Sequence, residues 1–382
     1  MKKLKLLIVS GTFPNIQCGI SKHVEIVANS LADQFDLHVL TSADDCVDTS
    51  IAKNYTVHPI IKSWKLLSAP AIRKAIIKLN PDIVNIQNPT AKYCGIGSFL
   101  MSVVAPSLKH KCPHIRIVVM QHDIAVGRAI LRWRYKPLFK AADAITVSNQ
   151  RDRQAIFNLG IAEEKVLITP MTSHFDIVPA DKQMKRQARD ILTIDNDALC
   201  ISYFGFVHPG RNIDLLLKAA SIIKNQGRKI KIIIIGGSSK GAELYYAKCQ
   251  NLADELGIKD DVIWTGYATA QQISDGLAAS DLFVSLPSRG ADMRNTSILT
   301  AILACLPIIT LENPKYLRDP DLDKLNCITI KQLNVNDLVN AIEKAASQEI
   351  SNQALLQSRQ ALLPEKIWAR HMEVNRQAFL NL

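Results

Sequence analysis

Two segments of the sequence have the residue types that bind anions at the start of a helix. Residues 10–23 follow an apolar run and contain Gly19, which could let a ligand approach the backbone closely. Residues 205–212 place Arg211 at a predicted helix start. A cation there opposes the helix dipole, a cost that is explained if the guanidinium reaches outward to a phosphate. We therefore predict phosphate chemistry, with an ordinary β–α turn and a solvated arginine as the plainer alternatives.

A third segment, residues 287–300, again links a predicted strand to a predicted helix. The backbone amides at 294–297, together with Arg294, would form a second anion pocket. Thr296 and Ser297 could cap the helix that follows. The alternative is a capped helix with exposed arginines, but three such turns in one chain favour a functional interpretation.

A His-Asp pair, His122 and Asp123, follows another predicted strand. Such a pair could bind a hydroxyl group or transfer a proton, although on spacing alone a structural role fits equally well. The sequence has no serine nucleophile elbow, HExxH motif, Walker loop or kinase motif set. Because potential metal ligands are not clustered, we predict that no metal is required.

These segments lie in an alternating series of strands and helices, which restarts near residue 198 after a charged linker. Apolar runs without polar alternation are typical of parallel strands that are covered on both faces. The pattern predicts two doubly wound α/β domains, over residues 1–176 and 177–362, with a last helix over 363–382. A ligand site between two such domains is the default expectation. The predicted strands are 4–9, 37–40, 83–86, 115–120, 144–147, 199–204, 230–235, 262–264, 282–285 and 308–311. The predicted helices before residue 337 include 21–33, 71–79, 128–140, 213–225, 242–256, 270–279 and 297–304, and a short helix is predicted within the linker at residues 171–197.

Positive charge is concentrated in one part of the chain. The net charge is +11, and residues 62–140 hold 14 basic residues but only two acidic ones. Residues 128–140 interleave cations with large apolar side chains, as an interfacial helix would. An anionic membrane surface or a lipid-linked acceptor is the preferred partner, with a solvated basic face and nucleic acid as alternatives. No nucleic-acid-binding motif supports the last.

Composition indicates a soluble, two-domain protein. The chain has 382 residues, 48% of them hydrophobic, and its eight cysteines form no CxxC pair. Reduced thiols in a cytoplasmic protein fit this spacing better than disulfides or a zinc ribbon. The basic and apolar start of the chain reads as a buried strand rather than a signal peptide. No apolar stretch reaches the length of about 20 residues that a membrane span needs.

In the candidate anion-binding segments described above, the chain resembles the family-4 retaining glycosyltransferases of the GT-B fold, and the resemblance covers nearly its whole length. The opening VSGTFPNIQCGISKHVEIVANSLA is similar to the family's first strand, glycine loop and helix, and QHD to the segment that supplies a histidine. The other similar segments are residues 142–156, 204–220, 281–310 and 368–380. The fold that this resemblance implies is α/β, with two Rossmann-like doubly wound domains facing a central cleft and a C-terminal helix crossing back to the N-terminal domain.

The activity that the resemblance implies is transfer of a sugar, with retention, from a nucleotide-diphosphate sugar (UDP- or GDP-sugar) to a glycan, glycolipid or other acceptor. Envelope polysaccharide or glycoconjugate synthesis at the inner face of the plasma membrane would be its setting. The donor is a substrate, so that no cofactor, no metal and no nucleic acid is expected.

The resemblance also assigns roles to single residues. Gly19 corresponds to the glycine that approaches the donor diphosphate, His122 to the histidine that contacts the transferred sugar, and Arg211 to a phosphate-binding cation. Asp292 keeps a carboxylate for the hydroxyls of the donor sugar. The predicted catalytic residues are then His122, Asp292 and Arg211, and the predicted donor-binding residues are Gly19, Arg211, Arg294, Asn295, Thr296, Ser297 and Thr300.

The chain departs from the family pattern at some of these places. The family's two glutamates, eight positions apart, are Asp292 and Thr300 here, and a threonine cannot hold a ribose diol by a bidentate carboxylate. Phe206 replaces one arginine of the phosphate pair, and Cys18 replaces the first glycine of the loop. These changes leave a catalytically silent GT-B subunit, acting as partner or scaffold for an active glycosyltransferase, as the alternative. A sugar-nucleotide epimerase is a third possibility.

Overall fold

A computed structural model of the chain describes residues 3–16, 18–90, 92–93, 97, 99–124, 132–313, 321–325, 327–347 and 352–380. The chain divides into two compact units. The first is Met1–Pro170 together with Trp368–Leu382, and the second is Met171–Ile367.

The first unit is built on a parallel sheet that has seven strands within the described residues, in the order β3-β2-β1-β4-β5-β6-β7. Leu7 and Val9 pack in one apolar cluster and Leu6 and Ile8 in another, so the central strand is covered on both faces. The strands are β1 Lys5–Val9, β2 Asp36–Ser42, β3 Thr56–Ile61, β4 Ile83–Asn88, β5 Arg116–Gln121, β6 Ala144–Val147 and β7 Val166–Ile168, and the helices are α1 Gly19–Leu31, α2 Ala69–Leu79, α3 Phe99–Lys111, α4 Lys136–Ala141 and α5 Gln150–Phe157.

The second unit has a parallel sheet of six strands in the described part of the chain, in the order β10-β9-β8-β11-β12-β13. Ile232, Ile233, Ile234 and Ile235 are all fully buried although their side chains alternate between the faces, because helices cover both sides. The strands are β8 Leu199–Phe204, β9 Ile230–Ile235, β10 Val262–Gly266, β11 Leu282–Ser285, β12 Ile308–Leu311 and β13 Ile328–Ile330, and the helices are α6 Lys182–Ile191, α7 Ile213–Asn225, α8 Glu243–Glu255, α9 Ala270–Ala278, α10 Thr296–Leu303, α11 Val335–Ser347 and α12 Asn352–Gln360.

The last helix, α13 Pro364–Leu380, ends within the first unit, to which its residues from Trp368 onward belong. Ala378 and Phe379 pack in the cluster that contains Leu6 and Ile8. The backbone carbonyl of Ala378 accepts a 2.8 Å hydrogen bond from Nε of Arg116 at the start of β5. The apolar face predicted for this helix is therefore buried against the sheet of the first unit.

The predicted fold class is confirmed, and the differences concern short or interrupted elements. The pattern missed β3, which includes Pro59 and lies at the sheet edge, and the three-residue strands β7 and β13. It also missed α3, which contains Pro106. Edge strands tolerate proline because one side of their backbone needs no partner. With a proline, β3 lacks the continuous apolar run that identifies a central strand.

The segment predicted as an interfacial helix, residues 128–140, has a different structure where it is described. Residues 125–131 lie outside the described ranges. Of the remainder, Tyr135, Leu138 and Phe139 are buried in the core of the first unit, whereas Trp133 is 59% exposed. The prediction of one lipid-facing helix is wrong for these residues, because most of the apolar side chains pack inward. In the described parts of the chain, we find no helix of the length and apolarity needed to cross a membrane.

Candidate functional site

The direction of the chain through the second sheet marks where a ligand can bind. Strands β8 and β11 are neighbours, and the chain proceeds from β8 through β9 and β10 on one side and from β11 through β12 and β13 on the other. In open α/β sheets, ligands bind at the carboxyl ends of the strands where the strand order reverses. The loops that leave these two strands hold Arg211, Asp292 and Arg294, so both predicted anion-binding turns of this unit lie at the expected edge.

Hydrogen bonds hold these two loops against each other. The amide of Ser288 donates to the carbonyl of Gly210 at 2.9 Å. The side-chain amide of Asn212 donates to the carbonyl of Leu286 at 2.6 Å and to the hydroxyl of Ser288 at 3.1 Å. Gly205 has a φ of 134°, which favours glycine, and a Cβ added there would lie 3.9 Å from Cβ of Ser297 in α10. The loop after β8 therefore lies beside the start of α10.

Arg211, at the end of the loop that leaves β8, is a half-buried cation of this edge. It ends a 3-10 turn, Pro209–Arg211, that is capped by Nδ1 of His208, which accepts from the amide of Gly210 at 3.2 Å. Burial, and secondarily the charge of Arg211, lower the pKa of His208, so this imidazole is neutral at physiological pH. Nε of Arg211 is shielded from solvent, yet no acceptor for it exists among the described residues. A guanidinium whose Nε is shielded and has no described acceptor is suited to bind an anion.

Arg294, by contrast, is already held by a carboxylate. Asp292 is buried and accepts from Nε of Arg294 at 3.1 Å and from its Nη2 at 2.7 Å. The backbone amide of Arg294 also donates to this carboxylate, at 2.8 Å. The planar guanidinium is thus fixed by a bidentate pair, and a bound anion would share it with Asp292.

The start of α10 differs from the predicted capping. Thr296 and Ser297 are its first two helical residues, and neither caps the helix. The preceding residue, Asn295, uses its side-chain oxygen to accept from the amide of Asp292 at 2.7 Å, so it does not cap the helix either. No acidic residue lies in the first turn. The backbone amides of Arg294, Asn295 and Thr296 donate hydrogen bonds to acceptors within the loop. The backbone amide of Ser297 donates none of these hydrogen bonds within the loop.

Thr300 is fully buried within the second unit, and its hydroxyl is engaged twice. It donates to the carbonyl of Thr296 at 2.6 Å and lies 2.9 Å from the hydroxyl of Ser173. Since the proton of Thr300 is used on the carbonyl, Ser173 is the donor of the second bond. The structure thus gives Thr300 a packing role, and its role in donor binding stays a prediction.

In the first unit, Gly19 is exposed and begins α1. The preceding Cys18 makes no side-chain cap, and the first turn has no acidic residue. A Cβ added at Gly19 would meet no atom of the described residues within 4 Å. The helix start is therefore open to an approaching group, whereas the packing of this loop depends on Gly11, whose added Cβ would lie 2.4 Å from Oγ1 of Thr90.

His122 follows β5 and is half-buried. Its Nε2 lies 2.8 Å from Oε1 of Gln87, and its backbone amide donates to the carbonyl of Asn88 at 2.7 Å. The two last residues of β4 therefore hold both the side chain and the backbone of His122.

A cluster of three aromatic rings that sequence reasoning did not single out contacts this histidine through one of its members. The ring of His23 in α1 packs edge-on against His122 and His371, with centroid separations of 5.3 and 5.0 Å. Trp368 packs edge-on against His371. Nδ1 of His371 lies 2.9 Å from the carbonyl of Pro170, and burial lowers the pKa of this histidine to about 4. Through these ring contacts, His371 and Trp368 of the last helix pack against His23 in α1.

Metal ligands are not grouped in the described part of the chain, where no three His, Cys, Asp or Glu side chains could hold one ion. The expectation that no metal is required stays a prediction.

Comparison with known proteins identifies the class. Residues 184–360 match the family model described as glycosyl transferases group 1, and residues 17–149 match the one described as glycosyl transferase 4-like. The two matches together cover most of the chain, one in each unit. The chain belongs to the group 1, GT4-like glycosyltransferases with a GT-B fold.

Individual relatives are distant. The chain is 25% identical over 186 residues to the D-inositol 3-phosphate glycosyltransferase of Gordonia bronchialis, covering 48% of this chain and 39% of that protein. The enzyme of the same name from Mycolicibacterium smegmatis is 24% identical over 176 residues, covering 44% and 39%. The alignments thus span little more than a third of the length of these curated relatives.

Solved structures resemble the chain over its full length. The structure of Anabaena Alr3699/HepE in complex with UDP and glucose has a TM-score of 0.75 at 14% identity, covering 98% of this chain and 99% of that one. A glycosyltransferase from Rickettsia africae has a TM-score of 0.74 at 12% identity, covering 99% and 98%. At these identities the likeness establishes the fold.

Proposed function

We propose that the protein is a retaining glycosyltransferase whose second unit binds the diphosphate of a nucleotide sugar. The observation that carries this proposal is Arg211, whose shielded Nε has no acceptor among the described residues, at the strand ends where an α/β sheet binds ligands. The Anabaena relative was solved with UDP-glucose, which supports a UDP-sugar as the first donor to test.

In this proposal the two loops divide the work on the donor. Arg211, together with the start of α10 at Ser297, would stabilise the negative charge that develops on the leaving diphosphate. The Asp292 carboxylate, held in place by Arg294, would accept hydrogen bonds from hydroxyls of the donor sugar. We further propose that Gly19 approaches the diphosphate and that His122 contacts the transferred sugar.

The donor proposal is tested by calorimetry and thermal unfolding with UDP, GDP, ADP and their glucose conjugates, without added metal and with EDTA. We expect diphosphate-dependent heat and a rise in Tm for at least one base, because a ligand that binds the native state stabilises it by mass action. Absence of both effects for the whole panel would contradict the proposal.

The acceptor side of the proposal concerns an apolar surface between α2 and α3. Leu66, Leu67 and Val103 line a groove of about 340 Å³ with Arg73, and Leu67 is 95% exposed. The exposed Trp133 adjoins the same helix, since the hydroxyl of Ser102 in α3 binds the carbonyl of Arg134. This surface, rather than residues 128–140 as one helix, is where we propose that the first unit contacts a membrane.

The occupant that we propose is an anionic lipid bilayer on the cytoplasmic side. The exposed residues Lys62, Lys65 and Lys74 are close in sequence to the groove residues Leu66 and Arg73, and each cation near an anionic surface contributes about 1 kcal/mol. Apolar side chains rimmed by cations are typical of proteins that lie on a membrane. Such binding would bring the enzyme to a lipid-linked or envelope glycan acceptor.

Liposome sedimentation tests this surface. Leu67→Ser should weaken binding to vesicles with 30% phosphatidylglycerol about tenfold, because it removes one apolar side chain from the interface. Leu244→Ser is the matched control, since Leu244 is 89% exposed but lies in the second unit. Binding should also fall with salt. Equal binding to neutral and anionic vesicles, or equal effects of the two variants, would refute the membrane proposal.

A second candidate function is a silent subunit that supports an active glycosyltransferase. The buried and doubly bonded hydroxyl of Thr300 favours it, because this position cannot offer a carboxylate to a ribose. The two functions differ in calorimetry: a silent scaffold gives no diphosphate-dependent heat, whereas the transferase does.

A further inference from the structure

Two buried amide side chains next to His122 form a series of hydrogen bonds in which donor and acceptor are fixed. Asn85 and Gln87 are alternate residues of β4, so their side chains lie on the same face of the strand. Both side chains are buried, as is expected for a strand in the middle of the sheet. Burying two amide side chains costs several kcal/mol unless their polar atoms are paired. The pairs that they make therefore fix how they are oriented.

A backbone carbonyl sets the direction of the series. Nδ2 of Asn85 lies 3.5 Å from the carbonyl oxygen of Val118 on the neighbouring strand, and a carbonyl can only accept. Oδ1 of Asn85 must then face Gln87, whose Nε2 donates to it. This leaves Oε1 of Gln87 facing Nε2 of His122, at 2.8 Å. Turning the two amides around would place the Asn85 oxygen against the Val118 carbonyl, which is repulsive.

We infer that Gln87 is a positioning residue, which with Asn85 holds the imidazole of His122 in the tautomer that is protonated at Nε2. In the neutral ring, Nδ1 is then the acceptor atom. Gln87 would thereby fix the orientation of the ring that contacts the transferred sugar, a consequence that rests on the proposed function.

A second series holds the backbone of the same loop without touching the imidazole. Nδ2 of Asn88 donates to Oε1 of Gln121 at 2.7 Å, and Nε2 of Gln121 donates to the carbonyl of Asp123 at 3.0 Å. Gln121 is as buried as Gln87. It therefore serves as a matched control, because its loss removes a buried amide beside His122 but leaves the contact to Nε2 in place.

The tautomer can be measured without any substrate. Long-range ¹H–¹⁵N spectra of the imidazoles, with His122 assigned by the signals lost in His122→Gln, should show the form protonated at Nε2 in the wild type. Gln87→Met has a similar volume but no acceptor, and it should produce a mixture of both tautomers. Gln121→Met should destabilise the protein to a similar extent and leave the His122 signals in the wild-type form.

Two results would overturn the inference. One is a wild-type His122 that is protonated at Nδ1, which needs no variant to fold. The other is a folded Gln87→Met protein that keeps the wild-type pattern. Because these spectra need no donor, their outcome is independent of whether the protein binds a nucleotide sugar. If it does, Gln87→Met should lower kcat about 10- to 100-fold with little change in the affinity for the free nucleotide, and Gln87→Glu, which restores an acceptor, should recover part of the rate.

Discussion

Replacing Arg211 with alanine separates its effect on binding from its effect on folding. Among the described residues its guanidinium has no acceptor, so its removal breaks no protein hydrogen bond. It also lies directly before the cap of α7, where a cation is unfavourable by about 0.3–1 kcal/mol. We therefore expect the free energy of unfolding of the ligand-free variant to stay the same or to rise by up to about 1 kcal/mol.

Binding of a nucleoside diphosphate should change far more. Hydrogen bonds to charged groups contribute about 1.5–3 kcal/mol, so the loss of Arg211 should weaken the binding of the best diphosphate about 10- to 150-fold. Calorimetry gives the dissociation constant, and urea unfolding without ligand gives the stability. Both measurements use the full chain.

Arg228→Ala is the matched control in the same unit. Arg228 forms a half-exposed ion pair with Glu343 at 2.6 Å, and such pairs contribute less than about 1 kcal/mol. This variant should bind the diphosphate like the wild type. A marked loss of stability in Arg211→Ala, or unchanged affinity, would refute the assignment of Arg211 as a ligand cation.

Two further predictions concern the first unit. Gly11→Ala should destabilise the protein by about 1–3 kcal/mol in urea unfolding, since the new Cβ would lie 2.4 Å from Oγ1 of Thr90. Gly19→Ala should not destabilise it, since no atom of the described residues lies within 4 Å of the new Cβ. Equal losses of stability in the two variants would contradict this packing argument. His371 is neutral when folded because burial lowers its pKa from 6.5 to about 4. Between pH 4 and pH 6.5 the unfolded chain therefore binds more protons than the folded chain. The free energy of unfolding is then not reduced by His371 above pH 6.5, and it declines as the pH falls toward 4. His371→Gln should remove about 2 kcal/mol of the stability difference between pH 7 and pH 5, and an unchanged difference would show that other groups cause it.

The sequence predicts the central strands well because their burial on both faces leaves a continuous apolar run. β1, β8, β9 and β11 agree with the predicted ranges within a residue. Elements at the sheet margins have no such signal, since β3 includes a proline and β13 has only three residues. Where the pattern was misleading, in residues 128–140, the sequence does not show whether the large apolar side chains between the cations face the protein core or a lipid surface.

The candidate site could be predicted only in part. The β–α turns that carry Arg211 and Asp292 follow from strand order, because the carboxyl ends of parallel strands share one edge. The pairing of Asp292 with Arg294 could not be predicted, since it depends on a loop conformation that brings two residues of the same loop into bidentate contact. The aromatic contacts of His23 also depend on tertiary structure, because they join α1 to a helix that begins more than 300 residues later.

Asn85 and Gln87 show what a closer inspection of the strands can reveal. The buried parallel strands β4 and β5 contain apolar residues but end at the polar residues Asn88 and Gln121. All of these polar side chains are buried. A buried polar group costs free energy unless it is paired, so the paired amides of β4 and β5 indicate that their hydrogen bonds hold something at the carboxyl edge. In β4 that group is the imidazole of His122, and the polar end of a buried strand therefore points to a functional residue on the neighbouring loop.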